Sequence, residues 1–449
     1  MDTTRGAARL TYSIRRMLTS TVGMGPRWPA VAALTLLVAC GSSWGGDPAM
    51  EAAPSGAGHA ELSVVPIPIP IPPHRYPSPS DLVEITAGDY HTCARRFDGR
   101  TYCWGLATSG QTGTSPSLGC SGCVPQPTQI PNLYWVVQVE AGSFHTCARV
   151  AGGAAYCWGN GQNGQLGGGQ PGAGIYGNST APQLVSGGHV FSSIAAGADS
   201  TCGSTSGGIY CWGGIGGQGN PLPYPTGSSI PTLIASGAAY TSMTVGREYA
   251  CGMVIIPGVA SEVGCFGLNQ YGQAGSDPLA WPWVPLDGGT SLGGAVSRVS
   301  AEYDLTCADQ QNGTVQCFGD GTSGQLGNGG RASTYQAQTV LTSALQPAQL
   351  AGVSAGVDHA CALSPGGAAF CWGNGLSGQL GNAMAAGSST AVPVSGGLTF
   401  RGIAAGRNHT CAIGTDNHIY CWGDNTYGQL GIGSAGSWWS SPVLAVDPP

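Results

Sequence analysis

Short runs of alternating apolar and polar residues, separated by glycine-rich turns, recur along the chain from about Leu82 to its end. In the first repeat, strand-like runs cover 82–85, 90–95 and 100–104, and Asp98-Gly99 separates the last two. Alternation with a period of two is typical of half-buried strands, and Asp-Gly is a hairpin signal. A further strand-like run follows a long loop, as at 181–185 and 391–394. The pattern therefore predicts an all-β fold with about three to four strands in each repeat.

One block of sequence recurs in seven units, in full or with substitutions: Ala-Gly, two residues, His-Thr-Cys-Ala, a turn with glycine, and Tyr-Cys-Trp-Gly. Successive first cysteines of the blocks lie between 49 and 56 residues apart. Strand-rich repeats of this length favour a radial propeller over a stacked solenoid. We therefore predict a seven-bladed β-propeller over residues 82–449.

A second motif, Gly-Gln-Leu-Gly, follows the block and stands at 164–167, 324–327, 378–381 and 428–431, with degenerate copies elsewhere. Together with His-Thr-Cys-Ala and Tyr-Cys-Trp-Gly it resembles the regulator of chromosome condensation repeat. The resemblance spans about 82–449 and implies that family's seven-bladed ring. The departures are Glu302 where the other repeats have glycine, and Phe266 and Phe318 in place of tryptophan.

The last segment of the chain, 441–446, repeats the strand that elsewhere precedes an Ala-Gly block, although no block follows it. We expect this segment to pair with the first repeat near Leu82. Such pairing would join the first and last blades and remove a free sheet edge.

The chain has 17 cysteines, and every repeat contains two of them, nine to fourteen positions apart across a glycine turn. Cysteines on neighbouring antiparallel strands lie close enough to be bridged, so we predict a disulfide in each blade, with buried free thiols as the alternative. The predicted pairs are Cys93 with Cys103, Cys147 with Cys157, Cys202 with Cys211, Cys251 with Cys265, Cys307 with Cys317, Cys361 with Cys371, and Cys411 with Cys421.

Cys120 and Cys123 form a further close pair, in the loop after the first block. We expect them to close a small surface disulfide, with a redox role as the alternative. No metal site is predicted, because zinc needs convergent ligands and the repeat pairs lie in different blades.

The first 40 residues predict export and lipidation. Five arginines precede an uncharged run from Trp28 to Ala39, which is too short to span a bilayer and has the length of a signal-peptide core. The run ends in Leu-Val-Ala-Cys-Gly at 37–41, which resembles the bacterial lipoprotein lipobox and implies cleavage after residue 39 and a lipid on Cys40. A plain secretory signal is the alternative. Disulfide-rich repeats are typical of oxidising compartments, so we expect a membrane-anchored lipoprotein facing the periplasm or the cell surface.

Residues 40–81 form a linker rich in alanine, glycine, serine and proline. Alternating prolines at 66–73 favour an extended polyproline II segment. We interpret it as a spacer between the lipid and the propeller, with a proline-rich ligand for another protein as the alternative.

Only 8% of residues are charged, the net charge is −7, and all 15 basic residues are arginine. The absence of lysine excludes the lysine-dependent phosphate loop and Schiff-base chemistry. The acidic balance argues against nucleic-acid binding. We predict no catalytic, cofactor-binding or metal-binding residues, and interpret the recurrent histidines, His91, His145, His359 and His409, as structural.

Six aromatic residues stand outside the repeat pattern, in the loops between blocks: Tyr134, Trp135, Trp281, Trp283, Trp438 and Trp439. Propeller loops gather on two faces, where exposed aromatic side chains can anchor a partner, although local packing is the alternative. The favoured function is a non-catalytic, monomeric envelope scaffold that binds an unidentified protein. The other hypotheses are a carbohydrate or cell-wall binding module and an inhibitor of a secreted or periplasmic enzyme.

Overall fold

The computed structural model describes residues 77–169, 177–214, 228–236, 239–255, 262–277, 284–285, 292, 295–342 and 347–449. The predicted signal peptide, Cys40 and the proline-rich linker lie outside these ranges, apart from the linker's last residues. No helix among the described residues is long and apolar enough to cross a membrane.

Twenty-eight strands in the described ranges form seven antiparallel sheets, and each sheet takes four strands that are consecutive in the chain. The strands are β1 (Leu82–Ala87), β2 (His91–Arg96), β3 (Thr101–Leu106), β4 (Cys123–Gln129), β5 (Val136–Ala141), β6 (His145–Val150), β7 (Ala155–Gly159), β8 (Ser179–Leu184), β9 (Ser193–Ala196), β10 (Ser200–Thr205), β11 (Gly208–Gly213), β12 (Ser228–Ser236), β13 (Ala239–Val245), β14 (Tyr249–Ile255), β15 (Glu262–Gly267), β16 (Val284–Pro285), β17 (Val296–Glu302), β18 (Leu305–Gln310), β19 (Val315–Gly319), β20 (Thr334–Thr339), β21 (Ala351–Ala355), β22 (His359–Leu363), β23 (Ala369–Gly373), β24 (Ser388–Pro393), β25 (Phe400–Ala405), β26 (His409–Gly414), β27 (Ile419–Asp424) and β28 (Trp438–Leu444). The predicted all-β, seven-bladed propeller is confirmed.

The first strand of each blade lies innermost, because these strands line the cavity along the ring axis. Neighbouring strands run in opposite directions, so the loops that join strands one to two and three to four of a blade share one face of the ring. We call this the loop face. The hairpins between strands two and three, and the connections between blades, lie on the opposite hairpin face.

Each blade is crosslinked by the predicted disulfide, which joins its second and third strands. Cys93 on β2 lies directly opposite Cys103 on β3, and the other six pairs occupy the same register in their own blades. The Cα atoms are 4.1 Å apart in every blade, close to the spacing of non-hydrogen-bonded antiparallel pairs. The six further bridges join Cys147 to Cys157, Cys202 to Cys211, Cys251 to Cys265, Cys307 to Cys317, Cys361 to Cys371, and Cys411 to Cys421.

The alternative of buried free thiols does not hold in any of the seven blades, since every repeat cysteine is bridged to its partner across the hairpin. The spacing in sequence varies from 9 residues between Cys202 and Cys211 to 14 between Cys251 and Cys265, yet the register is the same. The extra residues of the fourth blade therefore lengthen its hairpin and leave the bridge in place. Cys120, in the loop before β4, is also joined to Cys123, the first residue of that strand.

The expectation that 441–446 pairs with the first repeat is wrong. These residues lie in and just after β28, which pairs with β27 and is the outer strand of the last blade. Every blade therefore builds all four of its strands from one continuous stretch, and no strand is exchanged. The first and last blades meet instead through apolar packing and hydrogen bonds: Leu82 and Ala445 share one apolar cluster, and the Tyr102 hydroxyl donates to the Pro449 carbonyl oxygen at 2.8 Å.

Candidate functional site

The carbonyl oxygen of the glutamine in the Gly-Gln-Leu-Gly loop is the centre of each complete blade junction. Trp104 Nε1 and Thr92 Oγ1 of the first blade both donate to Gln429 O of the last blade, at 2.8 and 3.0 Å. The same pair of donors binds the preceding blade's glutamine at Gln111 (from Trp158 and Thr146), Gln165 (from Trp212 and Thr201) and Gln379 (from Trp422 and Thr410). The loop of one blade thus docks on the next, which explains why the repeated tryptophans are buried.

The recurrent histidines complete these junctions, and each bonds a threonine of the following blade. His91 Nε2 lies 2.8 Å from Thr146 Oγ1. Because that hydroxyl donates its own proton to Gln111 O, the imidazole must carry its proton on Nε2. The equivalent bonds are His145 to Thr201, His359 to Thr410 and His409 to Thr92, at 2.8 to 2.9 Å.

Burial lowers the pKa of each of these four histidines to about 3, so the imidazoles are neutral around pH 7. Tyr249 occupies the same repeat position in the fourth blade, and its hydroxyl lies 2.8 Å from Thr306 Oγ1. These side chains act in inter-blade hydrogen bonding. Among the described residues, no group of three or more histidine, cysteine, aspartate or glutamate side chains could hold a metal ion.

Exposure separates the loop aromatics from the tryptophans of the repeat. The five repeat tryptophans are at most 1% exposed, whereas Trp135, Trp438 and Trp439 are 75%, 52% and 42% exposed, and Tyr134 is 66% exposed. Local packing therefore does not account for these four side chains. Trp281 and Trp283 lie outside the described residues.

The described loop aromatics fall on two separate surfaces. Tyr134 and Trp135 precede β5 on the hairpin face, where Ala151 N donates to Trp135 O at 2.8 Å and Trp135 adopts a φ of 59°. Trp438 and Trp439 begin β28 and lie at the loop face, on the outer edge of the last blade. The structure does not bring the two pairs together.

Two aliphatic side chains, which the sequence analysis did not single out, extend the second surface. The loop between β23 and β24 lies against β28, where Ala383 N donates to Ser440 O at 2.8 Å. From this loop Leu376 and Met384 expose 73% and 62% of their surface. We call Leu376, Met384, Trp438 and Trp439 the rim patch. The Gly-Gln-Leu-Gly loop of this blade docks on the following blade, and this places residues 376–384 beside 438–440.

Three side chains from different blades meet over the axis of the ring at the loop face. Arg407 Nη1 and the Tyr303 hydroxyl donate to Asp89 Oδ2 at 3.4 and 3.3 Å, and the Arg407 guanidinium lies 5.7 Å from the centre of the Tyr303 ring. Asp89 is only 2% exposed, and burial raises the pKa of its carboxyl. We call this group the axial bridge.

Comparison with known proteins is consistent with this geometry. Two family models, each described as the Regulator of chromosome condensation (RCC1) repeat, match the chain. One matches residues 82–111, 136–165, 351–379 and 400–429, and the other matches 98–149, 152–203, 366–413 and 416–448.

Two curated relatives align with about two thirds of the chain. The Ultraviolet-B receptor UVR8 of Arabidopsis thaliana is 28% identical over 68% of this chain and 70% of its own length. The human E3 ubiquitin-protein ligase HERC2 is 28% identical over 67% of this chain but only 6% of its own length. Among solved structures, Prp20p of Saccharomyces cerevisiae superposes with a TM-score of 0.66 at 16% identity, covering 82% of this chain and 88% of Prp20p. Human WBSCR16 gives 0.64 at 18% identity, covering 78% and 94%. These two structures share the fold.

Proposed function

Because this chain belongs to the regulator of chromosome condensation (RCC1) repeat family, we propose that it is a non-catalytic scaffold that binds a protein partner through the rim patch. The rim patch offers two tryptophans and two long aliphatic side chains on adjacent elements. Tryptophan is enriched among the residues that dominate binding energy in protein interfaces. Prp20p, which shares the fold, is described with binding properties to Gsp1p and histones, and this supports a binding role for the propeller.

One observation carries the proposal: among the described residues, the tryptophans of the repeat are buried and those outside the repeat are exposed. The five repeat tryptophans are at most 1% exposed, so this fold is able to bury large aromatic side chains. Trp438 and Trp439 nevertheless face solvent on a strand that hydrogen bonding holds in place, as Asp424 pairs with Trp438 and Gly423 with Trp439. An ordered apolar patch of this kind is typical of an interaction site.

The proposal includes export and a lipid anchor at Cys40. The seven buried blade disulfides support it, because such bonds persist in oxidising compartments and are rare in the cytosol. Labelling of the full chain with a fatty acid in a bacterial host, compared with the Cys40→Ser variant, tests this part. Incorporation that persists in the variant would refute lipidation at this residue.

Crosslinking of the full chain in an envelope extract, read by mass spectrometry, tests the scaffold. We expect crosslinks to one partner to concentrate around the rim patch. Replacing both Trp438 and Trp439 with serine should lower the affinity for that partner about 30-fold or more, because loss of a central aromatic anchor costs about 2 kcal/mol or more of binding free energy.

The matched control replaces Tyr134 and Trp135 with serine, which also removes two exposed aromatic side chains, but from the opposite face. We expect this variant to keep its affinity. Equal affinity in wild type and in both variants would refute the rim patch as the binding surface, and loss only in the control would assign binding to the hairpin face.

A further inference from the structure

A cavity of about 480 Å³ follows the ring axis and is lined by the first strands of all seven blades. Residues two apart on a strand share one side and lie about 7 Å apart, so the lining side chains form layers. The layer nearest the hairpin face includes Glu84, Gln138 and Arg298, and the next includes Glu140. The layer nearest the loop face is formed by the residues that follow the repeated alanine, and it includes Glu302.

Glu302 has no counterpart in this last layer. The other six blades have glycine there, at Gly88, Gly142, Gly197, Gly246, Gly356 and Gly406. The glycines are required by close packing, because a Cβ at Gly142 would overlap the Gly197 carbonyl oxygen, and one at Gly356 would overlap that of Gly406. Blade five alone places a side chain in this ring, and that side chain is a carboxylic acid.

The side chain of Glu302 lies at the cavity, and its carboxyl group has no protein partner. Glu302 is 8% exposed and lines the cavity, and in the described part of the chain its carboxyl makes no hydrogen bond or ion pair. Burying a polar group without a hydrogen bond is unfavourable. Burial raises the pKa of Glu302 well above its usual range, and nearby Asp89 raises it further. A ligand that donates hydrogen bonds would remove this penalty.

The cavity is charged differently at its two ends. At the loop face the axial bridge of Asp89, Tyr303 and Arg407 joins three blades over Glu302. Arg149 and the exposed Arg298 line the part nearer the hairpin face, and Arg149 Nε donates to Gln138 Oε1 at 3.3 Å.

Acidic groups lie deeper than these arginines. Burial raises the pKa of Glu140 to about 8, although the guanidinium of Arg298, on a blade across the ring, lowers it. Glu84 is paired with Arg95 at 2.6 Å, although its charge still raises the pKa of Glu140. The sequence of charges from the hairpin face inward is therefore positive, then acidic.

We infer that the axial cavity is a binding site for a small zwitterion, with its carboxylate beside Arg149 and Arg298 and its ammonium group between Glu140 and Glu302. An ammonium group has three donors and can serve both carboxyl groups, which then ionise as its partners. A simple cation would have to pass the arginines and would offer them no negatively charged group to pair with. A simple anion would leave Glu302 unpartnered. This inference does not depend on the rim patch, which lies on the outer edge of the ring.

Calorimetric titration of the full chain with ω-amino acids of increasing length tests the site, using γ-aminobutyrate, ε-aminocaproate and ω-aminocaprylate. Hexylamine and hexanoate each carry one of the two charges and serve as controls. We expect at least one amino acid to bind, and both controls to bind at least tenfold more weakly. No binding by any of the three amino acids, or equal binding by hexylamine, would overturn the inference.

Glu302→Gly gives the fifth blade the residue found in the other six, so the variant has a precedent for folding within the same chain. We expect ligand affinity to fall at least tenfold while the thermal midpoint stays the same or rises, because an unpartnered buried carboxyl is removed. Glu302→Gln keeps the side chain's size and should also lose affinity. Asp358→Asn, on the loop face and outside the cavity, should keep it. Unchanged affinity in both Glu302 variants would contradict the site.

Discussion

The seven blade junctions are of two kinds: in one kind a pair of residues forms a hydrogen bond between the blades, and in the other the equivalent pair does not. Five junctions join a histidine or tyrosine to a threonine of the next blade: His91–Thr146, His145–Thr201, Tyr249–Thr306, His359–Thr410 and His409–Thr92. The other two place Ser200 opposite Ala250 and Leu305 opposite Ala360, at the equivalent repeat positions. Donor and acceptor are replaced together. The pair therefore behaves as one unit, because a buried imidazole facing alanine would keep an N–H without an acceptor.

The junction between blades five and six replaces the hydrogen bond with apolar packing. Leu305 is fully buried, and it shares a cluster with Ala360, Leu326 and Trp372. Burying a leucine side chain contributes roughly 1.5–3 kcal/mol, which matches or exceeds the net contribution of about 1 kcal/mol from a typical hydrogen bond. The comparison shows that the ring closes with either a hydrogen-bonded or an apolar pair at this position.

Breaking one complete junction should give the largest effect. Thr146→Ala leaves the Nε2 proton of His91 without an acceptor, so we expect the free energy of unfolding to fall by about 1–3 kcal/mol. Denaturant titration at pH 7 with the disulfides intact measures this change.

Converting the same junction to the apolar kind tests whether the pair is a unit. The double variant His91→Leu with Thr146→Ala imitates Leu305 and Ala360, and should recover at least half of the stability that Thr146→Ala loses. If the losses of the two single variants simply add in the double variant, the two residues are independent and the comparison fails.

Acid should also separate the two kinds of junction. The folded-state pKa of His91 is about 3, below the value of about 6.5 in an unfolded chain, so the unfolded state binds the proton first. Stability from this group is present above about pH 6.5 and is lost as the pH falls towards 3, by up to about 1.4 kcal/mol per pH unit. Between pH 6 and 4, the free energy of unfolding of the double variant of His91 and Thr146 should therefore fall less steeply than that of wild type. The difference in slope should be up to about 1.4 kcal/mol per pH unit.

Denaturant titrations of wild type and double variant at several pH values measure the difference. Glu140 and Glu302 have raised folded-state pKa values, so their contribution to stability is lost as the pH rises, opposite to the histidine contribution. They are the same in both proteins and cancel in the comparison. Parallel pH profiles would contradict a neutral, buried imidazole at this position.

The sequence predicted the blades, their number and the disulfides, because these features depend on residues close together in the chain. Cys93 and Cys103, for example, are separated by one hairpin. It did not predict the role of β28, since an outer strand and the inner strand of a following blade have the same short apolar pattern. Only pairing with β27 distinguishes them.

Contacts between blades could not be predicted from the sequence for a related reason. His91 is followed directly by Thr92, yet each of these residues bonds a different neighbouring blade. Glu302 was visible as a departure from the repeat, but its burial without a partner depends on six glycines that the ring brings together. Leu376 and Met384 gave no signal, because their neighbours on β28 lie more than 50 residues away.

At the junction between blades three and four, removing a hydroxyl should change stability in the direction opposite to Thr146→Ala. Ser200 Oγ is fully buried and has no hydrogen-bond partner in the described part of the chain, and the residue opposite is Ala250. Ser200→Ala therefore removes a hydroxyl that forms no bond, and we expect stability to stay the same or to rise by up to about 1 kcal/mol. The two variants each remove one junction hydroxyl, so denaturant titration of both isolates the effect of the partner. A loss in Ser200→Ala as large as that in Thr146→Ala would mean that junction stability does not follow the pairing of donor and acceptor.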